Sequence, residues 1–226
     1  MTMEKPIVWS IAGSDSGGGA GIQADVMTLN AFGVHGCTAI TCVTAQNTLG
    51  LLRSEDVSPT MLKSQLGALA DDLPPSVIKI GMVRSASVVR QIVRTLHDVP
   101  GFVILDPILS ASGGQGRMDE EAWHLLVRDL LPRADLVTPN IPETEAILGR
   151  ALPGAGDIEG AGRELIGMGA GSALITGGHR GKRYSQDYYT DGTQSAWLTS
   201  EMQESVHNHG TGCTLSAAIA AALALE

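Results

Sequence analysis

The strongest constraint on this chain is a repeated alternation. Short apolar runs take turns with longer segments in which apolar residues recur at helical spacing. Ile7-Val8-Trp9-Ser10-Ile11-Ala12, Cys37 to Ala45, Val77-Ile78-Lys79-Ile80, Phe102-Val103-Ile104-Leu105, Asp135 to Thr138 and Ser172 to Thr176 read as strands. Between them, Ile22, Val26 and Leu29 share one helix face, as do Leu62, Leu66, Leu69 and Leu73 ahead of Pro74-Pro75. Val89, Ile92, Val93 and Leu96 mark a third helix, Trp123, Leu126, Val127 and Leu130 a fourth, and a fifth is expected over about Ile158 to Met168. Such alternation predicts an α/β fold with a mostly parallel central sheet and helices on both faces. Arg183 to Trp197, centred on Asp191-Gly192, reads as a late β-hairpin. At 226 residues with 43% hydrophobic content, one large domain over 1–226 is expected, without repeats or linkers.

Glycine and polar residues gather at one end of these strands, the edge where open α/β sheets bind ligands. The first strand runs into Gly13-Ser14-Asp15-Ser16-Gly17-Gly18-Gly19-Ala20-Gly21. This turn is neither a Walker A loop, which needs a following Lys-Ser/Thr pair, nor a G-x-G-x-x-G dinucleotide turn. It is either a strand–helix connection or a place of close backbone approach to a small ligand. Gln46-Asn47-Thr48, Gly81-Met82, Asp106-Pro107 and Pro139-Asn140-Ile141-Pro142-Glu143 stand at other strand ends. Mg²⁺ prefers a few carboxylates, water and phosphate oxygens. Asp106, Asn140 and Glu143 therefore suit a phosphoryl-transfer site, although Asn140 equally suits a helix cap.

The other anchor is His209-Gly210-Thr211-Gly212-Cys213-Thr214, followed by the alanine-rich run Leu215 to Leu225. A glycine turn opening into a helix presents unpaired N–H groups and the positive end of the dipole. Gly210, Thr211 and Gly212 thus form a candidate oxyanion or phosphate cradle. Cys213 at that position is expected to have a lowered thiol pKa and to serve as a thiolate base; the plainer reading is a buried cysteine in a core helix. The helix itself is apolar all round and is expected to be buried. His207-x-His209 could suggest a metal pair, but no third ligand is evident.

Net charge is −9 with no basic cluster, so a nucleic-acid surface is not expected. Three cysteines in no metal or redox spacing suggest a reducing compartment, and a cytoplasmic location is expected. No signal peptide is seen, and the run 215–225 is shorter than the ~20 residues a membrane span needs.

The chain resembles the bacterial hydroxymethylpyrimidine / phosphomethylpyrimidine kinases of thiamine biosynthesis, in the ribokinase-like superfamily. The motifs are Ala12 to Asp25 (AGSDSGGGAGIQAD), Thr44 to Thr48 (TAQNT), Lys79 to Met82 (KIGM), Thr138 to Glu143 (TPNIPE) and His209 to Ala218 (HGTGCTLSAA), in family order. The resemblance implies a pyrimidine pocket lined by Gly13, Asp25, Gln46, Met82 and Ile108, with Gln46 reading the aminopyrimidine edge. It implies an anion hole from the Gly210 to Cys213 turn, with Cys213 where most ribokinase relatives place a catalytic aspartate. Asp106, Asn140, Glu143, Thr176 and Gly178 would serve Mg-ATP, and Asp106 and Glu143 would hold Mg²⁺, partly through water. ATP would phosphorylate the hydroxymethyl group and then the monophosphate. Pyridoxal or pyridoxine kinase is the rival within the superfamily; a non-catalytic small-ligand binding protein is the rival outside it. A homodimer is expected.

Two positions depart from the family pattern. Thr176 stands where members often carry a lysine, and Ser110-Ala111-Ser112 lacks the lysine common in that loop. Arg180, Lys182 or Arg183 could compensate. Relatives usually continue past the position of Glu226 with helices that flank the nucleotide. Without them, an exposed apolar patch or weaker nucleotide binding is expected.

Overall fold

The computed structural model describes residues 5–109, 118–177, 184–202 and 209–226. The expected lysine substitutes Arg180, Lys182 and Arg183, the loop 110–112, Gly178 and His207 lie outside them.

The chain opens with β1 (Ile7–Asp15), α1 (Gly21–Ala31), β2 (His35–Asn47) and β3 (Gly50–Asp56). It continues through α2 (Pro59–Asp72), β4 (Val77–Ile80), α3 (Ala86–Asp98), β5 (Phe102–Leu105) and α4 (Glu120–Leu125). A π turn (Leu126–Leu130) and a 3-10 turn (Leu131–Arg133) extend α4 before β6 (Leu136–Val137) and α5 (Ile141–Leu148). Then come α6 (Ala155–Gly167), β7 (Ala173–Ile175), β8 (Tyr184–Thr190), β9 (Ser195–Glu201) and α7 (Thr211–Ala224). The strands form one nine-stranded sheet in the order β3-β2-β1-β4-β5-β6-β7-β8-β9. From β2 to β7 every neighbouring pair is parallel, whereas β3, β8 and β9 pair antiparallel. The expected late hairpin is present as β8–β9.

β3 was not legible in the sequence. Its run Gly50-Leu51-Leu52-Arg53-Ser54 buries only Leu51, so it carries no alternating apolar pattern. It lengthens the strand expected to end at Ala45, and Gln46 consequently lies inside β2, paired with Leu51.

Period-two alternation sorts the strand residues between two apolar clusters. Trp9 and Ile11, Ile78 and Ile80, and Val103 and Leu105 join the cluster that contains Leu62 and Leu66 of α2, Val89 and Ile92 of α3, and Leu165 of α6. Val8, Val77 and Ile104 point the other way, to Leu29 of α1 and Ala220 and Ala221 of α7. Both faces are therefore covered, as a buried parallel sheet requires. The helix α7 is not buried all round: Leu215 and, just past its end, Leu225 are exposed, and its packed side is built of Cys213, Ser216, Ala217, Ala220 and Ala221. Small side chains let α7 lie close against α1 and the sheet, and its opposite side has no described element over it.

Candidate active site

The ligand edge is built from two glycine-dependent turns and one capped helix start. β1 is irregular between Ala12 and Ser14, and the turn after it closes with Gly21 at φ +57°. A Cβ at Gly21 would lie 2.2 Å from the Gly13 carbonyl oxygen, so only glycine fits. Gly210 caps α7 at φ +80°, and a Cβ there would fall 1.8 Å from the carbonyl oxygen of Gly19. The two glycine turns, remote in sequence, thus press backbone on backbone. At α5, Asn140 Oδ1 accepts from Glu143 N–H and Glu143 Oε2 accepts from Asn140 N–H, each at 2.9 Å, a reciprocal capping box. The cap reading of Asn140 and its place at the cleft are both realised.

These turns enclose a cavity of about 390 Å³. Its lining includes Gly13, Gln46, Met82 and Ile108, together with Asp106, Asn140, Glu143 and Thr176 and the turn Gly210, Thr211, Gly212 and Cys213. No side chain caps α7, so its first turn faces the cavity with the polarity that favours an anion. Thr176 is fixed by its backbone, which donates to the Pro139 carbonyl at 2.9 Å.

One expected wall residue is elsewhere. Asp25 is fully buried beneath the cavity, not on its wall. Ser10 Oγ donates to it at 2.6 Å and Lys79 Nζ donates to both its oxygens at 2.9 Å. The α1 face that carries Asp25 turns toward β1 and β4, and a carboxylate there must be paired. Lys79 is the partner that sequence reading passed over, although a lysine inside the otherwise apolar run Val77 to Ile80 was the available signal. Burial acts to lower the Lys79 pKa, but the charges of Asp25, Cys213 and Asp106 outweigh it and keep the ammonium protonated.

The expectation of a lowered Cys213 pKa is also corrected. Burial pushes the thiol up to about 11; Lys79 pulls it down and Asp106 and Asp25 push it further up. Cys213 is 7% exposed, and desolvation of the thiolate exceeds the help of the helix end. Asp106 is likewise raised to about 6, mainly by burial, against the pull of Lys79 and a 3.2 Å hydrogen bond from Ser216 Oγ. Glu143 is raised to about 7 by burial and by Asp106, against hydrogen bonds from the Asn140 and Leu109 backbones. Thr138 Oγ1, also on the lining residues, is buried without a partner among the described residues. Two buried carboxylates in mutual repulsion and an unpartnered hydroxyl are a donor set that fits a Mg²⁺ ion completed by water and phosphate. Among the described residues no three His, Cys, Asp or Glu side chains form a metal cluster; the His207-x-His209 pair is outside that statement, because His207 is not among them.

Asp15 and His209 complete the wall and were also missed as site residues. Asp15 Oδ1 accepts from Gly17 N–H at 2.8 Å, and Oδ2 accepts from Gly19 at 3.1 Å and Ala20 at 2.9 Å. His209 Nε2 stands 2.9 Å from that same Oδ2.

A mostly parallel sheet whose ligand edge joins an anion-binding helix start to buried carboxylates over one cavity defines a small-molecule kinase of the ribokinase-like fold. Residues 15–226 match the family described as phosphomethylpyrimidine kinase. The hydroxymethylpyrimidine/phosphomethylpyrimidine kinase of Synechococcus elongatus is 43% identical over 226 residues, covering 99% of this chain and 85% of its own. Among solved structures, the phosphomethylpyrimidine kinase of Clostridium difficile superposes with TM-score 0.86 at 37% identity, covering 98% of this chain and 91% of its own. The pyridoxal kinase of Staphylococcus aureus in complex with AMP-PCP superposes with TM-score 0.89 at 28% identity, covering 98% and 82%. The chain belongs to the phosphomethylpyrimidine kinase family.

Proposed function

We propose that this chain uses ATP to phosphorylate 4-amino-5-hydroxymethyl-2-methylpyrimidine and then its monophosphate, giving the pyrophosphate used for thiamine. The observation that carries this reading is the single cavity that joins a polar ring-reading side chain, Gln46, to the Gly210–Cys213 turn and to Asp106 and Glu143. Gln46, with Gly13, Met82 and Ile108, holds the ring. The acceptor oxygen forms the new bond to the γ-phosphorus, the bond to the bridging oxygen breaks, and ADP leaves with that electron pair. The Gly210–Cys213 turn receives the transferring phosphoryl charge, and Cys213 takes the acceptor proton on Sγ from its thiolate form, the minor form in the ligand-free protein. Lys79 lies beneath and favours the thiolate, against burial. Asn140, Glu143 and Thr176 border the nucleotide. Asp106 and Glu143 would hold Mg²⁺, which supplies neutralisation of the phosphate charge when bound.

A single domain over 1–226, a homodimer and a cytoplasmic location belong to the same reading. The exposed Val43, Leu49 and Leu52 of the β2–β3 hairpin are an apolar surface compatible with self-association, which light scattering would measure. No helix among the described residues is long and apolar enough to cross a membrane.

ADP release with hydroxymethylpyrimidine, with pyridoxine and with no acceptor tests the assignment. The highest kcat/KM is expected with hydroxymethylpyrimidine. A higher value with pyridoxine would transfer the chain to the activity named for its pyridoxal kinase neighbours, and release that ignores the acceptor would remove both.

A further inference from the structure

Gln46 has a backbone that is pinned and a side-chain end with two states of equal shape. Its N–H donates to Ser16 Oγ at 2.8 Å, and Ser16 Oγ donates to its carbonyl at 2.7 Å. The terminal amide lies with Nε2 2.9 Å from His209 Nε2, and Asp15 Oδ2 is 2.9 Å from the same ring nitrogen. Half a turn of the amide exchanges oxygen and NH₂ without changing its outline. Packing cannot choose between the two; hydrogen bonding does.

Asp15 makes the choice. Burial alone would raise its pKa, but hydrogen bonds from His209, Gly17 and Ala20 outweigh it and hold the carboxyl below its ordinary value. A carboxylate only accepts, so His209 Nε2 carries a proton and donates it to Asp15. A nitrogen that carries a proton cannot accept from an amide N–H. It can share that proton with an amide oxygen.

We propose that the Asp15–His209 pair holds Gln46 with Oε1 toward His209 and NH₂ turned away, and that this decides which way round the acceptor ring lies. The proposal rests on the pyrimidine reading of the site. On the acceptor, the exocyclic amine sits between a ring nitrogen and the carbon that bears the hydroxymethyl group. Paired with this amide, the amine donates to Oε1 on the His209 side and the ring nitrogen accepts from NH₂ on the far side. The hydroxymethyl group, next to the amine, then also lies on the His209 side. His209 directly precedes the Gly210–Cys213 turn, so the reacting oxygen is brought to the anion-binding end of α7. The reversed amide would accept the same ring turned over, with its hydroxymethyl group carried away from the turn. His209 is thus a positioning residue, and Asp15 acts through it.

The test compares wild type, His209→Leu and His209→Gln on hydroxymethylpyrimidine and on the same ring without its exocyclic amine. In His209→Leu the Asp15 carboxylate is left beside Gln46 and draws its NH₂, so the amine-bearing ring binds turned over. Its kcat is expected to fall about tenfold without a rise in KM, as one misdirected hydrogen-bond pair allows. The ring without the amine has no pairing order to lose and should fall much less. Gln places an NH₂ where Nε2–H was and should restore most of the loss. Independently, nitrogen-15 NMR should find His209 Nε2 protonated at neutral pH. Equal loss on both rings, no loss in His209→Leu, no rescue by Gln, or an unprotonated Nε2 would each overturn the proposal. Wild-type protein inactive on both rings would overturn the kinase reading and the ring-orientation step, whereas the protonation of Nε2 speaks to the Asp15–His209 pair alone.

Discussion

The two faces of the sheet are built from the same strands and are chemically opposite. The face under α2, α3, α4 and α6 is packed with Trp9, Ile11, Ile78, Ile80, Val89, Ile92 and Leu105. The face under α1 and α7 has a small apolar cluster at one end of the strands and, toward the other end, Ser10, Lys79 and Asp106. Ser10 and Lys79 are direct partners across β1 and β4; Asp25 of α1 accepts from both, and Ser216 of α7 donates to Asp106. One face is a packing surface; the other becomes a charged floor under the cavity. Burying charge costs stability unless every charge is paired, so that floor marks where stability yields to chemistry.

The sharpest separation should come from Cys213→Ala. Loss of a general base typically costs about 10²–10⁴-fold in turnover, with acceptor binding kept. Steady-state kinetics beside a thermal melt decides it; near-native turnover would show that the acceptor proton leaves by another route and would weaken the contrast between the faces.

Next in size are two stability changes, one from each face. Lys79→Met leaves the Asp25 charge buried without its partner, which costs about 3–5 kcal/mol. Leu66→Ala on the apolar face costs about 2–5 kcal/mol by leaving a cavity. The two are told apart by repair. Urea denaturation of Lys79→Met combined with Asp25→Leu should recover much of the loss, because the orphaned charge is gone. If the double variant is as unstable as the single, the floor is held by packing and not by charge pairing.

A smaller effect is expected in thiol chemistry. With its pKa raised to about 11, Cys213 should present on the order of a hundredfold less thiolate at mildly alkaline pH than an ordinary cysteine. Alkylation of the ligand-free protein followed by peptide mass mapping should find Cys213 slow, with a rate that climbs as pH rises. Rapid labelling at neutral pH would mean that the helix end outweighs burial after all.

The smallest effect concerns Glu143, raised to about 7, and Asp106, raised to about 6. A carboxyl whose folded pKa lies above its unfolded value binds more protons folded than unfolded between the two values. These groups therefore make the metal-free protein lose stability as pH rises from about 4 to about 7. Glu143→Gln should flatten that slope while lowering turnover and raising the Mg²⁺ requirement. Melting curves across the window measure it; an unchanged slope would place the Glu143 charge outside the low-dielectric floor.

The sequence by itself determined the strand–helix alternation, and hence the parallel sheet covered on both faces, because burial on a regular backbone writes its period directly into residue type. It also marked nearly every turn at the ligand edge, since Gly21 and Gly210 occupy positions that a Cβ would block. The edge strand β3 escaped it because a strand with one buried residue has no period to show. Tertiary structure alone decided the electrostatics. Asp25 and Lys79 are 54 residues apart, and His209 and Asp15 are 194 apart. Which charges meet, and how far water is kept from them, depends on contacts that no local pattern records. That is why a helix-start cysteine reads as an activated thiol in the sequence and is a buried, raised one in the fold: the dipole is local to the helix, while desolvation belongs to everything packed around it.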